Sequence, residues 1–533
     1  MCRVFKSLLA FLFVCHPCSF EVTAHDTSCD KPLRFRVTLA RESSPKGTGG
    51  RLLVLMSDSC QERQTLTVDP DSGNTWIAAM EVSHMLPGQT IEFNPDLKAY
   101  PRPFSQADPG TYQFMALLDA DHSYVYSGQN GGDLYGPVVK VEALIPANTP
   151  PIELVLNRTE PPLKVTDRER IKLAEFQSPL LTSFWGRPIK MRAGVVLPPS
   201  YGRTLRQTYP TVYHVHGFGG NHTVAWRRGE ALIKMMSGGK QREMVHVFLD
   251  GCFATGHHEF ADSVNNGPWG RALTDEFIPQ LEGKFRLIPK AYARFLTGHS
   301  SGGWSTLWLQ VNYPDFFGGT WSTAPDPVDL HSFTGIDVTP GSAENAYRTR
   351  DGRPRNLVRK GGKDVMSIEQ FVKREEVLGD HGGQFASFEW VWSPKGPDGR
   401  PMKLFDRETG EQNPEVQQAW QKYDIRVILE KKWPTLGRKL RGKVSVICGG
   451  ADTFHLEEAV ARLCDFFREK GSDARCEIVP GRDHGNLYEP FQTYPEGLDA
   501  RIAKEMQAKF AASSKAAASQ IRRKRWAPSP SGN

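Results

Sequence analysis

The chain is predicted to be an α/β protein with a mostly parallel central sheet covered by helices on both faces, preceded by an all-β sandwich of immunoglobulin-like pattern. Three observations carry this prediction. A short apolar run enters a G-x-S-x-G turn and leaves it as a helix; two further apolar runs after it end in an Asp and a His; and the first third of the chain alternates apolar and polar residues in short segments separated by turn residues.

Taking the elements in order, residues 1–24 read as an export signal. Basic Arg3 and Lys6 precede the apolar Ser7 to Val14, and small residues lead to Ala24, the expected cleavage point. That apolar run is too short to span a bilayer, and no other segment offers eighteen uninterrupted apolar residues, so no transmembrane segment is expected. Residues 25–160 supply the strand-like runs Leu33 to Leu39, Arg51 to Met56, Thr111 to Leu118 and Val138 to Ala143, with Pro146 to Pro151 and Pro161-Pro162 as a linker. Trp76, Tyr100, Tyr124 and Tyr126 in this region either form a stacking face for sugars or pack as core and edge aromatics.

The α/β domain, residues 161–510, holds the chemistry. Ala293 to Thr297 reads as a buried strand and Trp304 to Val311 as a helix, so Gly298-His299-Ser300-Ser301-Gly302 is a tight strand-to-helix turn. Such a turn pushes the Ser300 hydroxyl away from the sheet and aims the helix N-terminus at it, with the Ser301 amide in reach of a developing oxyanion. A serine nucleophile needs a base and an acid to orient it. Lys443 to Cys448 reads as a strand running into Gly449-Gly450-Ala451-Asp452, and Arg475 to Val479 as a strand running into Pro480-Gly481-Arg482-Asp483-His484. Asp452 is the candidate acid, or a cap of the helix after it; His484 is the candidate base.

Thr211 to His216 reads as an earlier strand ending in Gly217-Phe218-Gly219-Gly220, a turn able to present the Phe218 amide as second oxyanion donor. His214 and His216, two apart on a strand, share a face and invite zinc, but no third ligand follows at suitable spacing, and no metal or cofactor is expected. His257, His258, Trp269 and His299 are candidate substrate contacts. Roughly 120 residues separate Ser322 from Lys443, a cap-sized insertion at about 325–440. Its Gly- and Pro-rich composition suggests loops, and Phe388, Trp390 and Trp392 either line an acyl pocket or anchor the cap. Residues 511–533, Ala- and Ser-rich with a basic end, are expected to be disordered.

These residues resemble the Putative esterase family of α/β-hydrolases, which includes S-formylglutathione hydrolase (esterase D), feruloyl and enterochelin esterases and the mycolyltransferase antigens. The likeness runs over roughly Phe184 to Glu489 and rests on His216 to Gly220, Asn266-Gly267-Pro268-Trp269-Gly270, Gly298 to Gly303, Asp452-Thr453-Phe454 and Asp483-His484. It implies the α/β-hydrolase fold and the same triad, Ser300, Asp452 and His484. Relatives often carry Met after the nucleophile, where this chain has Ser301.

Composition frames the partners. Lys+Arg of 66 against Asp+Glu of 60 leaves a formal charge of only +6, which gives no case for nucleic acid. After residue 24 six of the nine cysteines remain, Cys29, Cys60, Cys252, Cys448, Cys464 and Cys476, with Cys29–Cys60 and Cys464–Cys476 the pairs nearest in sequence and Cys448 inside a buried strand. The expected function is cleavage of a small-molecule or carbohydrate-linked carboxylic ester through an acyl-enzyme by an exported serine hydrolase. An acyltransferase or peptidase with the same triad, and a non-catalytic binding protein on this scaffold, stay open.

Overall fold

The computed structural model describes residues 33–59, 61–68, 75–204, 206–379 and 381–525. The expected export signal, Cys29 and Cys60 lie outside the described residues.

The α/β domain is built on an eight-stranded sheet. In chain order its strands are Ile171–Gln177, Lys190–Val196, Thr211–Val215, Val245–Leu249, Arg294–His299, Gly319–Thr323, Val444–Gly449 and Arg475–Val479. Across the sheet they lie in the order first, second, fourth, third, fifth, sixth, seventh, eighth. The second strand runs antiparallel to both neighbours, and every pair from the fourth strand onward is parallel. The central strands are buried on both faces and read as continuous apolar runs, as sandwiched parallel strands do: every residue of Val245–Leu249 and of Val444–Gly449 is buried. All parallel strands point the same way, so the loops after Thr211–Val215, Arg294–His299, Gly319–Thr323, Val444–Gly449 and Arg475–Val479 gather at one edge, where open α/β sheets bind ligands.

The N-terminal unit is β-rich as expected. A three-stranded sheet, in which Phe35–Leu39 pairs parallel with Ile152–Leu156, faces a seven-stranded sheet centred on Thr48–Ser57 and Gly110–Asp119. Phe35, Val37 and Leu154 from the first pack with Leu52, Val54 and Phe114 from the second in one core. Of the two readings of its aromatics, packing is the one the contacts fit: Trp76 meets Phe104 edge-on, Tyr100 and Tyr124 pack with Leu53 and Leu55, and Tyr126 reaches Phe218 of the α/β domain.

The insertion after the sixth strand is more regular than its composition suggests. It carries a hairpin, Asn356–Lys360 with Lys363–Ser367, and the helices Ile368–Leu378, Gln384–Trp392, Pro414–Trp420 and Ile425–Leu440. Three of these helices have the starts their sequences encode: Ser367 and Gln370 form a capping box, and Asn413 and Asp424 accept amide hydrogen bonds at their N-caps. Trp392 sits among Trp304, Phe333 and Trp420, which anchors the insertion on the helix Ser301–Asn312. Arg407 and Glu389 add a buried bidentate pair at 2.8 Å. The N-terminal unit leans on the same insertion, with Arg51 donating to the carbonyls of Glu376 and Val377, both at 2.9 Å.

The expectation of a disordered tail does not hold for residues 511–525, which continue the helix Leu498–Arg525. The packing that anchors this helix lies upstream of them, where Ile502, Met506 and Phe510 recur at spacing four along one face and are buried in the main core; Ala511 to Lys515 carry no buried side chain.

Candidate active site

Ser300 sits at the turn between Arg294–His299 and the helix Ser301–Asn312, with φ 59° and ψ −127°. That strained backbone is the expected nucleophile turn. The flanking glycines are sterically required. A Cβ on Gly298 would lie 2.1 Å from the carbonyl oxygen of Gly302, and one on Gly302 would lie 2.1 Å from that of Val215.

Of the three residues expected from strand order, the structure pairs Asp452 with His484 and sets them at the same sheet edge as Ser300, whose Oγ bonds Asp326. Asp452 follows Val444–Gly449 and is fully buried. Its Oδ2 lies 2.8 Å from His484 Nδ1, and its Oδ1 accepts from the Phe454 amide at 2.9 Å. Burial pushes the Asp452 carboxyl up, but the hydrogen bond and charge of His484 outweigh it and hold it below its ordinary value. The His484 ring stands 4.4 Å from that of His299 and meets Phe454 edge-on at 5.0 Å. His299 itself is bound to Thr323 Oγ1 at 3.2 Å, and burial, then the neighbouring His484, push it down to about 3. It is therefore a neutral neighbour of His484.

The turn after Thr211–Val215 packs on Ser300. It is closed by the Gly220 amide on the Gly217 carbonyl at 3.1 Å, and a Cβ on Gly217 would lie 3.1 Å from Ser300 Cβ and 3.7 Å from Oγ. Phe218 sits in this turn, its ring 6.3 Å from Tyr126. The Ser301 amide opens its helix, one of the first-turn N–H groups that an α-helix leaves without an internal acceptor.

Three candidate substrate contacts are placed differently from the expectation. His257 and His258 are buried under the loop that carries them: His257 Nε2 is 3.1 Å from the His216 carbonyl, and His258 stacks on Trp269 at 3.7 Å. They act as packing, and Trp269, also buried, borders a cavity of about 1070 Å³ between the two domains without being an open binding face. The paired histidines of the third strand part company: His214 binds His246 at 2.9 Å, whereas His216 lies with Asp250 and Cys252, ligand atoms within 4.8 Å of one another. Those atoms are engaged by the protein, His216 Nε2 accepting from the Gly251 amide at 2.8 Å and Cys252 Sγ donating to the Gly220 carbonyl at 2.9 Å.

Sequence patterns missed two buried acids beside Ser300 and its helix. Asp326 accepts from Ser300 Oγ at 3.3 Å and from Ser301 Oγ at 2.6 Å. Glu259 accepts from Ser305 Oγ at 2.9 Å. Burial, reinforced by Glu259, pushes the Asp326 carboxyl up to about 7, and burial pushes that of Glu259 well above the carboxylate range. Asp326 also opens onto a narrow cleft walled by Leu357, Phe385, Phe388, Phe454 and Leu456. Phe388 borders this cleft, whose volume of about 20 Å³ holds one water, while Trp392 anchors the insertion, the second of the two readings the sequence allowed. An Asp three residues past a strand end is the only local signal Asp326 offers.

Strand order, strained serine turn and Asp–His pair define an α/β-hydrolase. The Putative esterase family model matches residues 187–475, more than half of the chain, and the chain belongs to that family. A curated relative, an endo-1,4-beta-xylanase/feruloyl esterase of Xylanibacter ruminicola, is 28% identical over 146 residues, 26% of this chain and 20% of the relative. The chain thus spans about a fifth of that relative's length. Among solved structures, a ferulic acid esterase superposes at TM-score 0.40 with 14% identity, covering 64% of this chain and 99% of that one. S-formylglutathione hydrolase from Staphylococcus aureus superposes at 0.36 with 13% identity, covering 64% and 98%.

Proposed function

We propose that the protein is an exported serine esterase with Ser300 as nucleophile, His484 as base and Asp452 as the acid that orients it. The observation that carries this reading is the buried Asp452–His484 hydrogen bond, 2.8 Å, at the same sheet edge as the strained Ser300 turn.

The chemistry follows from those positions. Ser300 Oγ turns from Asp326 toward His484 and gives its proton to Nε2 as it attacks the ester carbonyl carbon. Asp452 keeps Nδ1–H in place and stabilises the imidazolium. The oxyanion is received by the Ser301 and Phe218 amides. Collapse breaks the carbonyl–alkoxy bond, His484 returns the proton to the departing alcohol, and water activated by His484 then hydrolyses the acyl-enzyme. The feruloyl esterase name of the curated relative supports aromatic acyl esters, carbohydrate-linked ones included. Export is supported by the apolar N-terminal run and by the Cys464–Cys476 disulfide, a bond that persists in oxidising compartments.

Initial rates on acetyl, longer-chain acyl and feruloyl esters, with Ser300→Ala beside the parent protein, test the proposal. Turnover of at least one ester class by the parent and its loss in Ser300→Ala, with unchanged circular dichroism, is the expected result. A fully active Ser300→Ala protein contradicts it.

A further inference from the structure

The Ser300 hydroxyl donates to Asp326 Oδ1 at 3.3 Å, and among the described residues no hydrogen bond joins it to His484. Asp326 is fixed in that position from two sides. It follows the strand Gly319–Thr323, its amide donates to the Ser300 carbonyl oxygen at 3.3 Å, and its Oδ2 accepts from Ser301 Oγ at 2.6 Å. Asp326 is 2% exposed, and the cleft beside it, about 20 Å³, has room for one water. Solvent therefore does little to weaken its hold on the hydroxyl.

A hydroxyl has a single proton to donate. Attack on an ester needs that proton directed at His484, so Asp326 and His484 compete for it. A carboxylate competes better than a neutral acid, because hydrogen bonds to a charged acceptor are about twice as strong as neutral ones. Once protonated, the carboxyl has a hydrogen of its own to donate to Ser300 Oγ, which leaves the serine proton to His484. The groups that face it come from three elements: Glu259 and His257 from the loop after Val245–Leu249, Ser301 from the helix Ser301–Asn312, and His484 from the loop after Arg475–Val479. The insertion adds no charge to the cleft, where its polar residues are Thr334 and Gln384. Burial, then Glu259, push the carboxyl up, while Ser301, His484 and His257 pull it down, and it settles at about 7. Below that point it is the acid, and above it the carboxylate.

We propose that Asp326 is a positioning residue for the nucleophile: as the carboxylate it holds the Ser300 hydroxyl away from His484, and as the acid it releases it, so that rising pH restrains ester cleavage. The proposal rests on Ser300 and His484 being nucleophile and base.

Rates of fluorophosphonate labelling at Ser300, and kcat/KM on an aryl ester, are measured from pH 5 to 9 for the parent protein, Asp326→Asn and Ser301→Ala, with circular dichroism read alongside. Asparagine keeps an oxygen for Ser301 and cannot ionise. The rate of Asp326→Asn relative to the parent is therefore expected to climb about tenfold between pH 6 and 9, the scale that separates hydrogen bonds to charged and to neutral groups. Taking the ratio cancels the titration of His484 that both proteins share. Ser301→Ala removes a donor that favours the carboxylate and leaves the backbone amide, so the restraint should set in at higher pH than in the parent. A ratio that is flat or falls with pH overturns the proposal. Where Asp326→Asn does not fold, a Ser301→Ala profile that coincides with the parent's overturns it instead. Absence of labelling at Ser300 in folded parent protein at every pH overturns the esterase reading, and the proposal with it.

Discussion

Replacing Asp326 by Asn isolates the energetic consequence of burying an acid beneath the nucleophile. The carboxyl rises from its ordinary 3.8 to about 7 because it is buried beside Glu259. The folded protein therefore holds this proton to higher pH than the unfolded chain does. The contribution of the neutral acid to stability is fully present below about pH 4 and is lost as pH climbs toward 7, beyond which the fold carries a buried charge. At about 1.4 kcal/mol per pH unit, the rise from 3.8 to about 7 corresponds to roughly 4 kcal/mol. Asparagine keeps an oxygen for the Ser301 hydroxyl, 2.6 Å away in the parent, and cannot ionise. Urea unfolding of both proteins at pH 4.5, 6 and 8 by tryptophan fluorescence should show Asp326→Asn gaining on the parent by a few kcal/mol as pH rises, most of it between pH 5 and 7. A difference that is flat across this range, or that grows toward low pH, refutes the reasoning.

Other outcomes follow from single contacts. Asp452→Asn should leave the fold intact and lower kcat/KM by roughly 10⁴-fold, because the amide no longer fixes the His484 tautomer; near-normal ester turnover would remove Asp452 from the mechanism. Arg407→Leu leaves the Glu389 carboxylate buried with only the Leu404 amide as donor and should cost roughly 3–5 kcal/mol, read by thermal unfolding, whereas Glu389→Met with Arg407→Leu should recover much of the loss. Cys476→Ser opens the disulfide joining the helix Leu456–Glu469 to the strand Arg475–Val479 and should lower stability by roughly 3 kcal/mol without changing which residue reacts with a serine probe.

What the sequence made legible was what short-range pattern encodes. Ser300 is found from glycines two residues away on each side, and Asp452 and His484 from apolar runs that end just before them. Within a residue or two, the strands around these positions lie where their apolar runs place them. Asp326 and Glu259 escaped because a place in a loop does not say what they touch: each meets a serine of the helix Ser301–Asn312 only after the sheet has closed, across 25 and 46 residues respectively. The helices of the insertion were hidden by its glycines and prolines, although Ser367, Asn413 and Asp424 are ordinary N-caps. His257 and His258 looked like substrate contacts because polar residues in a loop after a strand usually face solvent; here the insertion covers that loop, with Ser263 and Asn265 bonded to the carbonyls of Trp390 and Ser393.

The most direct measurement is to treat folded protein with a fluorophosphonate and locate the modified residue by peptide mass, in the parent and in His484→Ala. A single adduct on Ser300 in the parent, with labelling slowed by orders of magnitude in His484→Ala, is the predicted result. An adduct elsewhere, or labelling at Ser300 that is indifferent to His484, would contradict the triad.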